Sequence, residues 1–187
     1  MKSFFQALNK PIEAFRSENK WAAWGLVAIT ILINTVFEPV LRAFSQTGNY
    51  EIKVFHMLIT TASGICTYIT ISVLFWFTAK CLGSKTNIST FIATWGLTYF
   101  PTLFCSLIVA FTEVYFYVFW NSIIWGMVFN ILFVGILLWK TILYVIYLRE
   151  IAELRGGRMI SAFIIIGIFI ILLAMANGYI GLKTPIL

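Results

Sequence analysis

The sequence predicts an all-α polytopic membrane protein, a transmembrane helical bundle of about five spans. Of the 187 residues, 61% are hydrophobic and only 11% are charged, and the mean hydropathy is +0.95. A soluble domain carries roughly 25% charged residues, so the apolar excess is more than a globular core of this length can bury. The apolar residues also form five runs of about 20 residues or more, which suits a hydrocarbon core about 30 Å thick.

Five apolar runs are the predicted spans, and shorter polar segments separate them. Residues 21–187 are therefore predicted to form one transmembrane domain, preceded by a lead segment over residues 1–20. The aromatic stretch 113–121 either extends the third span or lies in the interface, where rings with polar tips are favourable; we interpret it as an interfacial connector. The five runs cover residues 21–41, 55–79, 88–111, 123–148 and 159–182.

The lead segment is expected to lie along the membrane surface at the cytoplasmic side. Its apolar residues recur at helical spacing, which is typical of an amphipathic surface helix. Its six charged residues argue against insertion, and its mixed sequence is unlike a signal peptide, whose apolar core directly follows a basic start. Pro11 is expected to bend or restart the helix. The apolar residues are Phe4, Phe5, Leu8, Ile12 and Phe15.

Basic residues predict the orientation, because cytoplasmic loops of membrane proteins are enriched in Lys and Arg. Nine basic residues flank the spans on the side of the amino terminus, and three flank them on the other side. The amino terminus is therefore expected in the cytoplasm, and five spans put the carboxyl terminus outside. The same rule accounts for the net charge of +6, because the basic residues lie in cytoplasmic segments. We therefore expect the lipid bilayer, and no nucleic acid, as a partner. The nine are Lys2, Lys10, Arg16, Lys20, Lys80, Lys85, Arg149, Arg155 and Arg158; the three are Arg42, Lys53 and Lys183.

The sequence lacks the usual catalytic motifs. It contains no HExxH, no GxSxG and no glycine-rich phosphate-binding loop. It has no Asp and a single histidine, His56, which excludes a Ser–His–Asp triad and a multi-histidine metal site. The three cysteines form no CxxC pair. We therefore expect no enzymatic activity, no cofactor and no metal.

Polar residues at membrane depth are the candidate functional residues. Lys140 is foremost, because a lysine near the centre of a span costs about 2.5–3.5 kcal/mol. It is either structural, buried in the bundle or snorkelling towards Arg149 about 13 Å along the helix, or it serves a partner or ligand. Glu38 and Glu113 near outer span ends, with His56 at the start of span two, either line an outward-facing polar site or are ordinary interfacial residues.

Further residues within the spans are interpreted mainly as architecture. Asn34, Asn130 and Asn177 are expected to hydrogen-bond between helices, each at roughly 0.6 kcal/mol, and Asn130 is also kept among the candidate site residues. Pro101 is expected to kink the third span and to free backbone carbonyls that a neighbouring helix must satisfy.

Three stretches of the chain resemble the Yip1 family of five-span membrane proteins in its compact bacterial form. Asn-Lys-Pro-Ile-Glu-Ala-Phe at 9–15 is similar to the Pro-x-x-x-Phe lead of bacterial members. Residues 90–96, leading into Tyr99-Phe100-Pro101, are similar to the family's aysyiP stretch. Residues 139–148 end the fourth span and are followed by Arg149-Glu150-Ile151, a short loop and an apolar last helix.

The resemblance implies a non-enzymatic accessory or scaffold protein in the bacterial cytoplasmic membrane. The implied partners are other membrane proteins of an export, envelope or trafficking machinery, such as an ABC exporter. A homo-oligomer of this chain is an alternative. The Asp-Leu-Tyr-Gly-Pro motif of eukaryotic members is absent, which argues against a Rab-GTPase role. The family has no agreed catalytic residues to carry over.

Two other functions are weighed against this one. A small-molecule transporter or substrate-binding subunit would use Lys140, Glu38, Glu113 and the Pro101 kink, but an odd span count and the lack of an internal repeat weaken it. An intramembrane hydrolase or lipid-modifying enzyme would need Lys140, Asn130, Glu113 and His56 to converge around one wet cavity.

Overall fold

The residues that the structure describes form an all-α bundle with five helices long and apolar enough to cross a membrane, which confirms the predicted fold class of a helical bundle with about five spans. This computed structural model describes residues 10–16, 20–45, 52–116 and 121–180. The five helices, numbered as spans one to five below, are Lys20–Ser45, Val54–Cys81, Ile88–Tyr115, Ile123–Glu150 and Gly157–Tyr179.

The two ends of the bundle are named here by their charge. The basic end is where span one begins, span two ends, span three begins, span four ends and span five begins. Lys20, Lys80 and Arg149 lie at this end. The opposite end carries the loops between spans one and two and between spans three and four.

Span one contains a π-helical turn over Ile33–Phe37, between the α-helical segments Lys20–Leu32 and Glu38–Ser45. A π-turn adds one residue to an α-helix and commonly marks a functional or strained position. The helix continues through it without a break, because the backbone N–H of Glu38 donates to the carbonyl of Ile33. The span therefore reaches Ser45, beyond the predicted boundary at residue 41.

Span three changes its winding before its proline. A 3₁₀ turn over Gly96–Tyr99 separates the α-helices Ile88–Trp95 and Phe100–Tyr115. Pro101 lies in the first turn of the second helix, where a missing N–H breaks no helical hydrogen bond. The irregularity expected at this proline is thus on its amino-terminal side.

Spans one and three approach each other closely at the 3₁₀ turn. A Cβ added to Gly96 would lie 2.3 Å from the carbonyl oxygen of Ala23 and 2.9 Å from Cγ2 of Val27. No side chain fits in that space, so glycine is required for the backbones to meet.

Span three extends further than predicted at the opposite end. It reaches Tyr115 rather than residue 111, and Phe116 closes its last turn by donating its N–H to the carbonyl of Thr112 at 3.0 Å. Residues 113–115 are therefore part of the span, and our interpretation of the whole stretch 113–121 as a connector is wrong for them. The segment 117–120 lies outside the described residues, as do residues 1–9 of the lead segment and 181–182 of the predicted fifth span.

The lead segment forms a short helix over Pro11–Arg16, called the lead helix here, which packs against the end of span four. The helix begins at Pro11, and the residues before Lys10, on which a bend or a restart at this proline depends, lie outside the described residues. Phe15 is 1% exposed and meets the ring of Tyr147 edge-on, with 5.6 Å between centroids. Arg16 Nε donates to Glu150 Oε2 at 2.9 Å. We expected the apolar face to rest on lipid, but Phe15 packs on protein, because the aromatic core behind Tyr147 offers a closer fit.

That aromatic core fills the basic half of the bundle. The indole of Trp95 stacks on the ring of Tyr144 with 5.0 Å between centroids, and the ring of Phe75 lies 4.0 Å from the indole. Tyr147 completes the group and donates its hydroxyl to the carbonyl of Phe91 at 3.0 Å. All four side chains are buried, so spans two, three and four are joined mainly by ring packing here.

Candidate functional site

Lys140 lies inside the bundle, at the edge of the aromatic core. Only 1% of its surface is exposed, and Tyr144, one turn further on, shares its helix face. Its ammonium donates to the hydroxyl of Thr102 in span three. It also lies 5.4 Å from the ring centroid of Tyr99 and 5.7 Å from that of Tyr144. The side chain therefore does not snorkel towards Arg149; the bundle-buried alternative is the one observed.

The surroundings of Lys140 offset part of the cost of a buried charge. A cation over an aromatic face gains about 2 kcal/mol where water is excluded, and two rings are within reach here. A hydrogen bond from a charged donor contributes about 1.5–3 kcal/mol. These gains are of the same order as the insertion cost of about 2.5–3.5 kcal/mol, so an ammonium can be accommodated at this position.

Thr102 belongs to a row of hydroxyl side chains that was not predicted from the sequence. The members are four residues apart on span three, so they line one face of the helix, and each is at most 4% exposed. The regular spacing of four residues is visible in the sequence and could have predicted this row. The spacing continues across the 3₁₀ turn. Ser106 accepts a hydrogen bond from Asn34 Nδ2 of span one at 3.1 Å. The row, called the hydroxyl stripe below, consists of Thr94, Thr98, Thr102 and Ser106.

Two of the three intramembrane asparagines bond between spans, as predicted. Asn34 reaches the hydroxyl stripe, and Asn177 Oδ1 accepts from the hydroxyl of Thr67 at 2.9 Å, which joins span five to span two. Asn130 differs, because it is exposed on span four and, among the described residues, its side chain makes no hydrogen bond.

Glu38 and Glu113 are brought together by Arg42. Its Nη2 lies 2.7 Å from Glu113 Oε2 and 3.1 Å from Glu38 Oε1. The cluster, called the Arg42 triad below, ties span one to span three at the opposite end, and the Glu38 side chain is only 7% exposed. Arg42 entered the sequence-based predictions only through the charge balance, although its spacing of four residues from Glu38 indicated an ion pair.

The candidate residues therefore occupy separate surroundings. Lys140 is in the core, Glu38 and Glu113 are in the Arg42 triad, and His56 and Asn130 are exposed. They do not converge around one cavity as an intramembrane hydrolase would require. Within the described residues, no group of three or more His, Cys, Asp or Glu side chains could hold a metal ion.

Comparison of the chain with protein-family models, with curated proteins and with solved structures finds no match. The resemblance to the Yip1 family stays a prediction from the residues quoted for it. The structure by itself shows five helices, within the described residues, that are long and apolar enough to cross a membrane.

Proposed function

We propose that the chain is a non-enzymatic accessory protein of the Yip1 type in the bacterial cytoplasmic membrane, and that it binds another membrane protein through span four. The observation that carries this proposal is that every residue of 123–138 is exposed or half-buried; this segment is called the exposed half of span four. Between Lys140 and Leu148, in contrast, the same helix contributes five residues to the core.

The amide of Asn130 favours contact of the exposed half with protein rather than with lipid. It lies seven residues from the start of the span at Ile123, about 10 Å along the helix, which is within the hydrocarbon depth. An amide without a partner is costly in hydrocarbon, and asparagines on transmembrane helices commonly bond across to a neighbour.

The residues around Asn130 form a surface that another helix can approach. Gly126 lies four residues before Asn130, and Phe133 and Leu137 lie three and seven residues after it. All four therefore share one face of the helix. A Cβ at Gly126 would meet nothing within 4 Å, which leaves room for a second helix. Small residues beside a polar one are typical of transmembrane helix contacts. An export protein such as an ABC exporter and a second copy of this chain both fit that chemistry.

Photo-crosslinking in intact membranes tests the proposal. A photoreactive side chain is placed at Gly126 in the full-length protein and, as a matched control, at Gly135, which lies half a helical circumference away and is exposed. We expect a discrete protein adduct from position 126, a much weaker one from position 135, and loss of the first adduct in Asn130→Leu. An adduct of twice 21.3 kDa identifies a second copy, and any other mass identifies a different partner. Only lipid adducts from both positions would refute the proposal.

A second candidate function, small-molecule transport or substrate binding, is supported by the burial of Lys140. An ionisable residue inside a membrane bundle is by default a functional hypothesis, and Thr102 and Tyr99 supply further polar and aromatic groups on span three. A thermal-shift screen of small anions and metabolites tests it, with Lys140→Ala as the control. If no compound stabilises the wild type more than the variant, this function is rejected.

A further inference from the structure

Spans one and two enclose a groove of about 270 Å³ on the outer surface of the bundle. One wall is formed by span one, with Trp24, Ala28 and Leu32 along it. These residues are four apart, so they follow one face of the helix, and all three are exposed. The groove therefore runs parallel to the spans and is open to the surroundings of the bundle.

The other wall is formed by span two, through Thr61, Ile65 and Tyr68. Two of these residues have polar groups, and both groups bond within the protein. The hydroxyl of Thr61 donates to the carbonyl of Met57 at 2.7 Å, and that of Tyr68 donates to the carbonyl of Ile92. The hydrogen-bonding groups of this wall are therefore already satisfied, which leaves apolar atoms to line the groove.

The floor of the groove is closed by the contact between the two spans. A Cβ at Gly64 would lie 3.2 Å from Cγ2 of Ile31, and Ile31 is itself buried. Water in the groove would find no hydrogen-bonding partner, so the groove favours hydrocarbon.

Lys20 lies beyond one end of the groove and gives it a charge. It is exposed and lies four residues before Trp24, hence on the same helix face. From Lys20 the groove extends from about 6 Å at Trp24 to about 18 Å at Leu32. The hydrocarbon of one leaflet is about 15 Å deep, half of the core. A lysine at headgroup depth thus places the groove alongside the acyl chains of a single leaflet.

We propose that this groove binds one acyl chain of an anionic phospholipid, whose phosphate pairs with Lys20. The apolar walls match the chain, the ammonium matches the phosphate, and their spacing matches the depth of one leaflet. The lipid belongs to the leaflet at the basic end of the bundle, where tryptophans commonly lie at headgroup depth; Trp21, next to Lys20, is 89% exposed. A transmembrane helix is a poorer occupant, since it is about 10–12 Å wide and the groove holds only about 270 Å³.

Native mass spectrometry of the full-length protein in mild detergent tests the acyl-chain part. Phosphatidylglycerol is added to the wild type, to Ala28→Trp, which fills the groove, and to Ala176→Trp, the same change on the exposed face of span five. We expect Ala28→Trp to lose at least half of the bound lipid and Ala176→Trp to retain it. Circular dichroism confirms that both variants are folded. Equal lipid binding by the two folded variants, or a protein bound in the groove, would overturn the proposal.

The phosphate part is tested by competition between phosphatidylglycerol and phosphatidylcholine. A Lys near an anionic surface contributes about 1 kcal/mol, which corresponds to a preference of about fivefold. We expect the wild type to prefer phosphatidylglycerol by about that factor, Lys20→Gln to lose the preference, and Lys85→Gln, an exposed basic residue in the loop between spans two and three, to keep it. No preference in the wild type, or its loss in Lys85→Gln alone, contradicts the pairing with Lys20.

Discussion

Gly96→Ala is expected to destabilise the bundle more than alanine at any other glycine of the described spans. The new Cβ would lie 2.3 Å from a backbone oxygen of Ala23, whereas ordinary contacts begin at 3.4 Å. Since the atom in the way is backbone, no side chain can rotate to relieve the clash. Spans one and three would have to separate by about 1 Å, and a gap of that size removes a quarter to a half of the dispersion energy between the atoms around it.

The magnitude follows from the dispersion energy of the interface that is pushed apart. A patch equivalent to one buried leucine holds about 40–60 atom pairs at 0.1–0.2 kcal/mol each. Loss of a third of that energy is about 1–4 kcal/mol, which overlaps the usual range of about 1–3 kcal/mol for overpacking. The matched control is Gly135→Ala, where the Cβ would meet nothing within 4 Å and alanine favours the helix by up to about 1 kcal/mol.

The assay is reversible unfolding of both variants in mixed micelles, followed by circular dichroism. We expect Gly96→Ala to unfold at a clearly lower fraction of denaturing detergent than the wild type, and Gly135→Ala to unfold at the same or a higher fraction. If the two variants unfold together, the close approach of spans one and three at Gly96 is not what limits stability.

Three further predictions concern the charged and aromatic contacts. Arg42→Gln removes the cation that bridges Glu38 and Glu113, and should reduce the free energy of unfolding by about 1–2 kcal/mol. If the triad is the cause, Glu113→Gln in the same chain restores part of this loss. Lys140→Met keeps the side-chain volume and removes the buried charge, so its thermal unfolding midpoint should equal or exceed that of the wild type. Lys140→Ala leaves a cavity and should unfold at a lower temperature. A much lower midpoint in Lys140→Met would show that the charge itself is required. Phe15→Ala should release the lead helix and speed tryptic cleavage after Arg16 several-fold, whereas Ala at the exposed Ile12 should not, and equal cleavage of the two would contradict the docking.

The span count could be predicted because it depends on local composition alone. Hydropathy needs only consecutive residues, and each run was long enough to cross a hydrocarbon core. The helices run past the predicted span ends at residues 41 and 111, to Ser45 and Tyr115, and so include Arg42 and Glu113. In the structure these charges bond to each other across two spans, and that compensation lets both helices continue.

The docking of the lead helix could not be predicted, because it depends on contacts distant in sequence. Arg16 and Glu150 are 134 residues apart, and an amphipathic pattern alone does not distinguish a lipid surface from a protein surface. The same applies to Lys140. Span four is apolar on every side, so its sequence does not show which face points inward. The hydroxyl stripe of span three, with its regular spacing, would have indicated where a polar partner for Lys140 lies.

The π-helical turn of span one sets the rotational phase of everything beyond it. Each residue of an α-helix turns the direction of its side chain by about 100°, and a π-turn contains one residue more than an α-helical turn would. Deleting one residue within Ile33–Phe37 would leave the hydropathy and length of the span almost unchanged. With one residue fewer, the turn can wind as regular α-helix, so Arg42 would keep its direction towards Glu113. The full sequence wound as α-helix throughout would instead turn Arg42 about 100° away from Glu113. The extra residue thus shifts by one the sequence positions that lie on a given face of the helix beyond the turn.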